Sequence, residues 1–193
     1  MTKNLLIAVA VTFVAGIVLT YLGAVDARSM MMLGILGFAV FSALQMTAGN
    51  RKEVHIDNAT REAALHATAP AQQALLYVYR EGLLGKRLGW NVLLDGAFLA
   101  QLRSPRFTRT ILNPGSHTLA VTVEGFAASQ NKSAQETFHA QAGEVIVFAL
   151  KMKMGAMSNT SLIVREPDGS AALLKLSKIP MVAPDKVSIT TAA

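Results

Sequence analysis

Leu88-Gly-Trp-Asn-Val-Leu-Leu-Asp-Gly-Ala-Phe-Leu-Ala-Gln-Leu102 decides the reading of this chain. Asp95-Gly96 stands between two apolar runs. A two-residue hairpin turn needs positive φ at both central positions, and Asp followed by Gly meets that need at little steric cost. The stretch therefore predicts a β-hairpin, with strands over 88–94 and 97–102.

Working outward, the same texture continues on both sides. Residues 74–80 (Ala-Leu-Leu-Tyr-Val-Tyr-Arg) are rich in β-formers and precede a glycine-containing loop, 81–87. Ser104-Pro105 breaks the hairpin's second strand, and 107–112 predicts another, stopped by Asn113-Pro114-Gly115. Over 117–124 Leu119, Val121 and Val123 alternate with Thr118, Ala120 and Thr122, the period of a half-buried strand. Residues 134–140 and 144–154 predict a further hairpin, turned at Ala142-Gly143. Residues 162–166, a Pro167-Asp168-Gly169 turn and a last short element over 171–177 follow. Seven or eight short strands at this spacing predict an antiparallel β-sandwich or partly closed barrel over 74–178. No βαβ rhythm is present, so a Rossmann-type crevice is not expected.

The N-terminal part has a different texture. Residues 5–25 and 30–48 contain no charged side chain and are separated only by Asp26, Ala27, Arg28 and Ser29. Runs of about 21 and 19 residues rise about 32 and 29 Å as helices, close to the ~30 Å hydrocarbon core of a bilayer. The expectation is a transmembrane helical hairpin over 1–49 placed in a bacterial inner membrane. Small residues at Gly16 and Thr20, and at Ala39 and Ala43, suit close packing or homo-oligomerisation of the helices. Lys3, Arg51, Lys52 and Arg61 outweigh Arg28, which puts both ends and the β-domain on the cytoplasmic side. Residues 50–73 read as a polar, partly helical stalk, with Asn58 or Thr60 as helix cap. Residues 179–193 read as a flexible tail.

Composition excludes several chemistries. The 193 residues include no cysteine, which removes disulfides, thiolate catalysis and Cys-based metal sites. The formal net charge of +6 is spread along the chain, and no helix-turn-helix, zinc finger or RNP-like strand accompanies it. No nucleic-acid partner is expected. Gly82-Leu-Leu-Gly-Lys86-Arg87 lacks the spacing and the Ser or Thr of a phosphate-binding loop. His117 has no nucleophile and acid that can be named beside it, so it reads with Asp95, Gly96, Pro114 and Gly115 as a structural turn residue. No catalytic, cofactor-binding or metal-ligating set is legible. Arg80, Lys86, Arg87, Arg103, Arg106 and Arg109 bias the first half of the β-domain toward positive charge. On one face they would meet anionic lipid headgroups or an acidic protein partner. Trp90, Tyr77 and Tyr79 are the aromatic candidates for a ligand site, although strand alternation favours core packing for them.

Leu76-Tyr-Val-Tyr-Arg80, Trp90-Asn-Val-Leu-Leu-Asp-Gly96, Leu112-Asn-Pro-Gly-Ser-His-Thr-Leu119, Ala142-Gly-Glu-Val145 and the last Leu-Ile-Val-Arg-Glu166 together resemble the DUF2846 family of bacterial envelope proteins. That family is similar to the PEGA-type β-sandwich repeats, which share the turn and strand around Pro114-Gly115. The resemblance covers roughly 74–178. It implies a small β-sandwich tethered to a membrane outside the cytoplasm, against the charge-based orientation. This chain departs from the family's usual lipoprotein signal, having no lipobox cysteine and two apolar runs instead. The functional expectation is a membrane-anchored, non-enzymatic interaction or scaffold module. The alternatives are a β-sandwich binding a glycan, peptidoglycan fragment or lipid, and an accessory subunit of a larger membrane complex.

Overall fold

The computed structural model describes residues 14, 16–18, 20, 21, 23, 26–47, 50, 51, 54–83, 86, 88–123, 128, 131–155 and 158–185. The chain divides into two units, Met1–Gln45 and Met46–Ala193.

Helix α1 begins at Ala27 and runs to Thr47. Asp26 caps it: its carboxylate accepts from the backbone N–H and the hydroxyl of Ser29, both at 2.9 Å. Among the described residues no helix is long and apolar enough to cross a membrane. The transmembrane hairpin expected over 1–49 is thereby corrected, and so is the multi-pass inner-membrane placement drawn from it. Arg28 and Ser29, expected in the connection between two apolar runs, fall inside the first turn of α1. Of the other apolar run, only Val14, Gly16, Ile17, Val18, Thr20 and Tyr21 fall within the described residues as helix. There the Thr20 hydroxyl donates to the Gly16 carbonyl at 3.0 Å.

The second unit is β-rich. Its strands are β1 (Ala74–Arg80), β2 (Trp90–Leu94), β3 (Ala97–Leu102), β4 (Arg106–Leu112), β5 (Gly115–Val123), β6 (Asn131–Lys132), β7 (Ala134–Ala140), β8 (Val145–Lys153) and β9 (Asn159–Arg165). Two short helices join them, α2 (Asn58–Leu65) and α3 (Gly169–Leu176). Sheet I has the order β4-β1-β8-β9-β6 and sheet II the order β3-β2-β5-β7. The expected pairing needs correction at three places. The strands over 134–140 and 144–154 form no hairpin, because β7 is an edge of sheet II and β8 lies within sheet I. β1 runs parallel to β8, from Leu75 opposite Val145 to Arg80 opposite Leu150, and β6 runs parallel to β9.

The reason is visible in β1 itself. All seven of its residues are buried. Ala74, Leu76 and Val78 face sheet II, where they share a core with Trp90, Val92, Leu119 and Phe138. Leu75, Tyr77 and Tyr79 face the other way, against Ala64 of α2, Ala172 and Leu176 of α3, Ile179 and Met181. A strand covered on both faces is apolar throughout, as in parallel sheets under helices. The element over 171–177 is accordingly part of a helix and not a strand. Asp168 caps it, accepting from Ser170 N at 2.9 Å and Ala171 N at 3.2 Å. The cap of α2 is Asp57, which accepts from Thr60 N at 2.9 Å, rather than Asn58 or Thr60.

The stretches read as stalk and tail hold each other against the sandwich. Arg51 N donates to Gln101 Oε1 at 2.7 Å, and the Arg51 guanidinium lies 4.1 Å from the centre of the Phe98 ring. Ile56 N donates to Met181 O at 3.2 Å and Ala183 N to Val54 O at 2.9 Å. Val182 N donates to Phe107 O at 2.8 Å, which covers the outer edge of β4. Residues 186–193 of the expected tail lie outside the described residues.

Candidate functional site: a cleft beyond the end of β1

β1 and β8 run side by side until Arg80 reaches Leu150. There β1 stops, and β8 continues to Lys153 with β9 still on its other side. The chain leaves the sheet through Glu81, Gly82 and Leu83. Gly82 turns it away with φ +136°, a conformation side-chain-bearing residues rarely adopt, and its carbonyl accepts from the Ser104 hydroxyl at 2.7 Å. The divergence opens a cleft of about 430 Å³. Its walls are the end of β1 with its exit loop (Tyr79–Leu83), β8 over Ala149–Met152, and Lys175 of α3.

The polar side chains lining this cleft are Tyr79, Arg80, Glu81, Lys151 and Lys175, with Glu166 next to Tyr79 and Lys175. Lys151 and Glu81 are exposed on its rim. Lys175 Nζ lies 3.9 Å from Glu166 Oε1, the same oxygen that accepts the Tyr79 hydroxyl. Burial, reinforced by the Glu166 carboxylate, pushes the Tyr79 phenol above its ordinary value, so it stays a hydrogen-bond donor. Arg80 is 2% exposed. Its guanidinium stacks 4.3 Å from the centre of the Trp90 ring and donates to the carbonyls of Leu88 and Leu102. Burial lowers it to about 10, which leaves it charged at neutral pH. The wall thus carries fixed positive charge and apolar surface from Leu83, Leu150 and Met152.

A second cluster forms where the β2–β3 hairpin meets the start of β5. Asp95 (φ 51°) and Gly96 (φ 79°) make the two-residue turn expected from their order. The Asp95 carboxylate accepts from Thr118 N at 2.8 Å through Oδ1 and pairs with His117 Nδ1 at 2.6 Å through Oδ2. His117 Nε2 lies 2.8 Å from the Asn113 carbonyl. Both ring nitrogens therefore face acceptors, and only the imidazolium satisfies both. Burial pushes the imidazole down, but the hydrogen bonds to Asp95 and Asn113 and the Asp95 charge together raise it. A ring with both nitrogens engaged in this way braces two turns and offers no lone pair for general-base work.

The basic residues expected to share a face are dispersed. Arg80 is buried, Lys86 is exposed, and Arg103 is half-buried. Arg87 lies outside the described residues. Arg106 stands opposite Arg80 in the register and Arg109 opposite Tyr77. Arg106 and Arg109 are three apart on one strand, so they point to opposite faces of sheet I. Arg106 Nη1 donates to Pro105 O at 2.7 Å, and the Arg109 charge partly offsets the upward push of burial on the Tyr77 phenol. Of the aromatic candidates, Trp90 and Tyr77 are fully buried and only Tyr79 reaches the cleft. The Tyr77 hydroxyl donates to the Ala64 carbonyl at 2.6 Å.

Sequence reasoning missed Lys151, Glu166 and Lys175. Lys151 and Lys153 do alternate with apolar neighbours at the end of β8, a local hint that its outer face becomes wet there. Nothing local points to Lys175, which reaches the cleft only because α3 folds across sheet I. Among the described residues no three His, Asp or Glu side chains gather as a metal site. Compared with known proteins, the chain matches no family model and no curated protein.

Proposed function

We propose that this chain is a non-enzymatic interaction module that engages an acidic partner through the cleft beyond β1. The observation that carries this reading is the make-up of that cleft: a half-open hollow with Lys151 and Lys175 on its rim and apolar side chains at its floor. Such a surface attracts negative charge and buries apolar area, which is what recognition requires. The two groups with acid–base chemistry nearest to hand support the same reading. Tyr79 is held protonated by burial and by Glu166, and His117 is committed to Asp95 and Asn113. Trp90 and Tyr77, the platforms a glycan would need, are sealed in the two cores.

The test is a binding screen of the full-length chain against arrays of peptides of varied charge and of glycans. Acidic peptides should be recovered, and a Lys151→Glu, Lys175→Glu double variant should weaken their binding at least tenfold. Retention of glycans alone, turnover of any array member, or indifference to both lysines would refute the reading.

A further inference from the structure

We infer that the acidic partner is an extended peptide segment that takes the lane β1 vacates, pairing its backbone with Lys151–Lys153 of β8. This rests on the function proposed above and specifies its partner.

The argument begins with register. β8 pairs with β9 as far as Lys153 opposite Thr160, with Lys151 opposite Leu162 and Met152 opposite Ser161. On its β1 side, pairing ends at Leu150. Among the described residues nothing pairs with residues 151–153 on that side. A strand end of this kind presents backbone N–H and C=O groups as a template for another strand. The cleft lies where such a strand would go.

Side-chain alternation then sets the chemistry of the occupant. Met152 follows Phe148 and Leu150 on the face turned toward sheet II. Lys151 and Lys153 follow Val147 and Ala149 on the outer face, where Lys175 of α3 also stands. A strand in this lane would place alternate residues among Lys151, Lys153 and Lys175. The residues between them would face Leu150 and Met152. Glutamates alternating with aliphatic residues match both faces. Of the two carboxylates nearby, Glu166 is already engaged by Tyr79 and Lys175, which leaves Glu81 to oppose the excess of positive charge.

The probe is a labelled seven-residue peptide alternating glutamate and valine, titrated into the full-length chain and read by fluorescence anisotropy. Three comparisons accompany it: the same peptide with lysine for glutamate, a version N-methylated on the backbone along one edge, and phosphatidylglycerol vesicles. Hydrogen exchange at the Lys151, Met152 and Lys153 amides is followed in parallel. Saturable binding is expected, weakened at least tenfold by the lysine peptide, by Lys151→Glu with Lys175→Glu, and by N-methylation. Amides of β8 that point into the cleft should exchange more slowly in the complex. Lys151→Ala, a milder change at an exposed position, controls for misfolding and should weaken binding in the same direction. Equal binding of the N-methylated peptide without amide protection would overturn strand addition while leaving the acidic-partner module standing. Binding to vesicles alone, or to nothing, would overturn both.

Discussion

The two sheets differ most on their outer faces. The outer face of sheet I is a second core: Leu75, Tyr77, Tyr79, Val147 and Ala149 lie under α2, α3 and residues 179–181. The outer face of sheet II carries Ser116, Thr118, Thr122, Gln135, Thr137 and His139, which are exposed or half-buried. A covered spot on it is polar, with Asn91 and Gln101 buried next to Arg51. The contrast teaches that a strand's periodicity reports how many of its faces are covered. β5 alternates because one face is wet, whereas β1 does not alternate because neither is.

The largest effect should come from the covered face of sheet I. Leu75→Ala removes a fully buried side chain and should cost about 2–5 kcal/mol in urea unfolding. Thr137→Ala, on the exposed face of sheet II, should stay within about 0.5 kcal/mol. Equal costs at the two sites would break the comparison. Next in size is the covered spot of sheet II. Gln101 Nε2 donates to Asn91 Oδ1 at 2.8 Å while its own Oε1 accepts from Arg51 N. Gln101→Ala should therefore cost about 1–3 kcal/mol, because buried partners lose their bonds. A change below the Thr137→Ala value would mean that residues 50–51 do not seal that spot.

Tyr77→Phe tests the helical layer more finely. It removes only the bond to the Ala64 carbonyl and should cost about 1 kcal/mol. Limited proteolysis should then open α2 before the sandwich, and simultaneous cleavage of both would count against α2 as a separable cover. The smallest effect concerns the brace at the end of sheet II. The His117 imidazole is raised in the folded state. Its contribution is fully present below its ordinary value near 6.5 and is lost as pH rises through the folded value. With Asp95 half-exposed, the pair should be worth less than about 1 kcal/mol. The urea midpoint should fall across that window in the parent chain and hold flatter in His117→Gln. Parallel pH profiles would show that the brace does not titrate as drawn.

The places where sequence reading succeeded and failed follow the same line. Asp95-Gly96 announces its turn because the requirement, positive φ at two adjacent positions, is local. The apolar runs before Ala48 suggest membrane spans, but among the described residues no helix is long and apolar enough to cross a membrane. Arg103, Arg106 and Arg109 look like one patch when strand alternation is ignored, and the register of β4 separates Arg106 from Arg109. The stalk and the start of the tail look polar and loose, yet His55 and Val182 meet as neighbouring extended segments. Long-range pairing of this kind leaves no local signature.

By itself the sequence determined the β2–β3 hairpin and its Asp95-Gly96 turn, because these depend on neighbours a few residues away. Only the tertiary structure decided that β1 and β8 run parallel, that α3 crosses sheet I, and that Lys151 and Lys175 border one cleft. The physical reason is distance along the chain. Backbone conformation and side-chain period are short-range properties, whereas the cleft exists because two strands of unequal length meet over 60 residues apart.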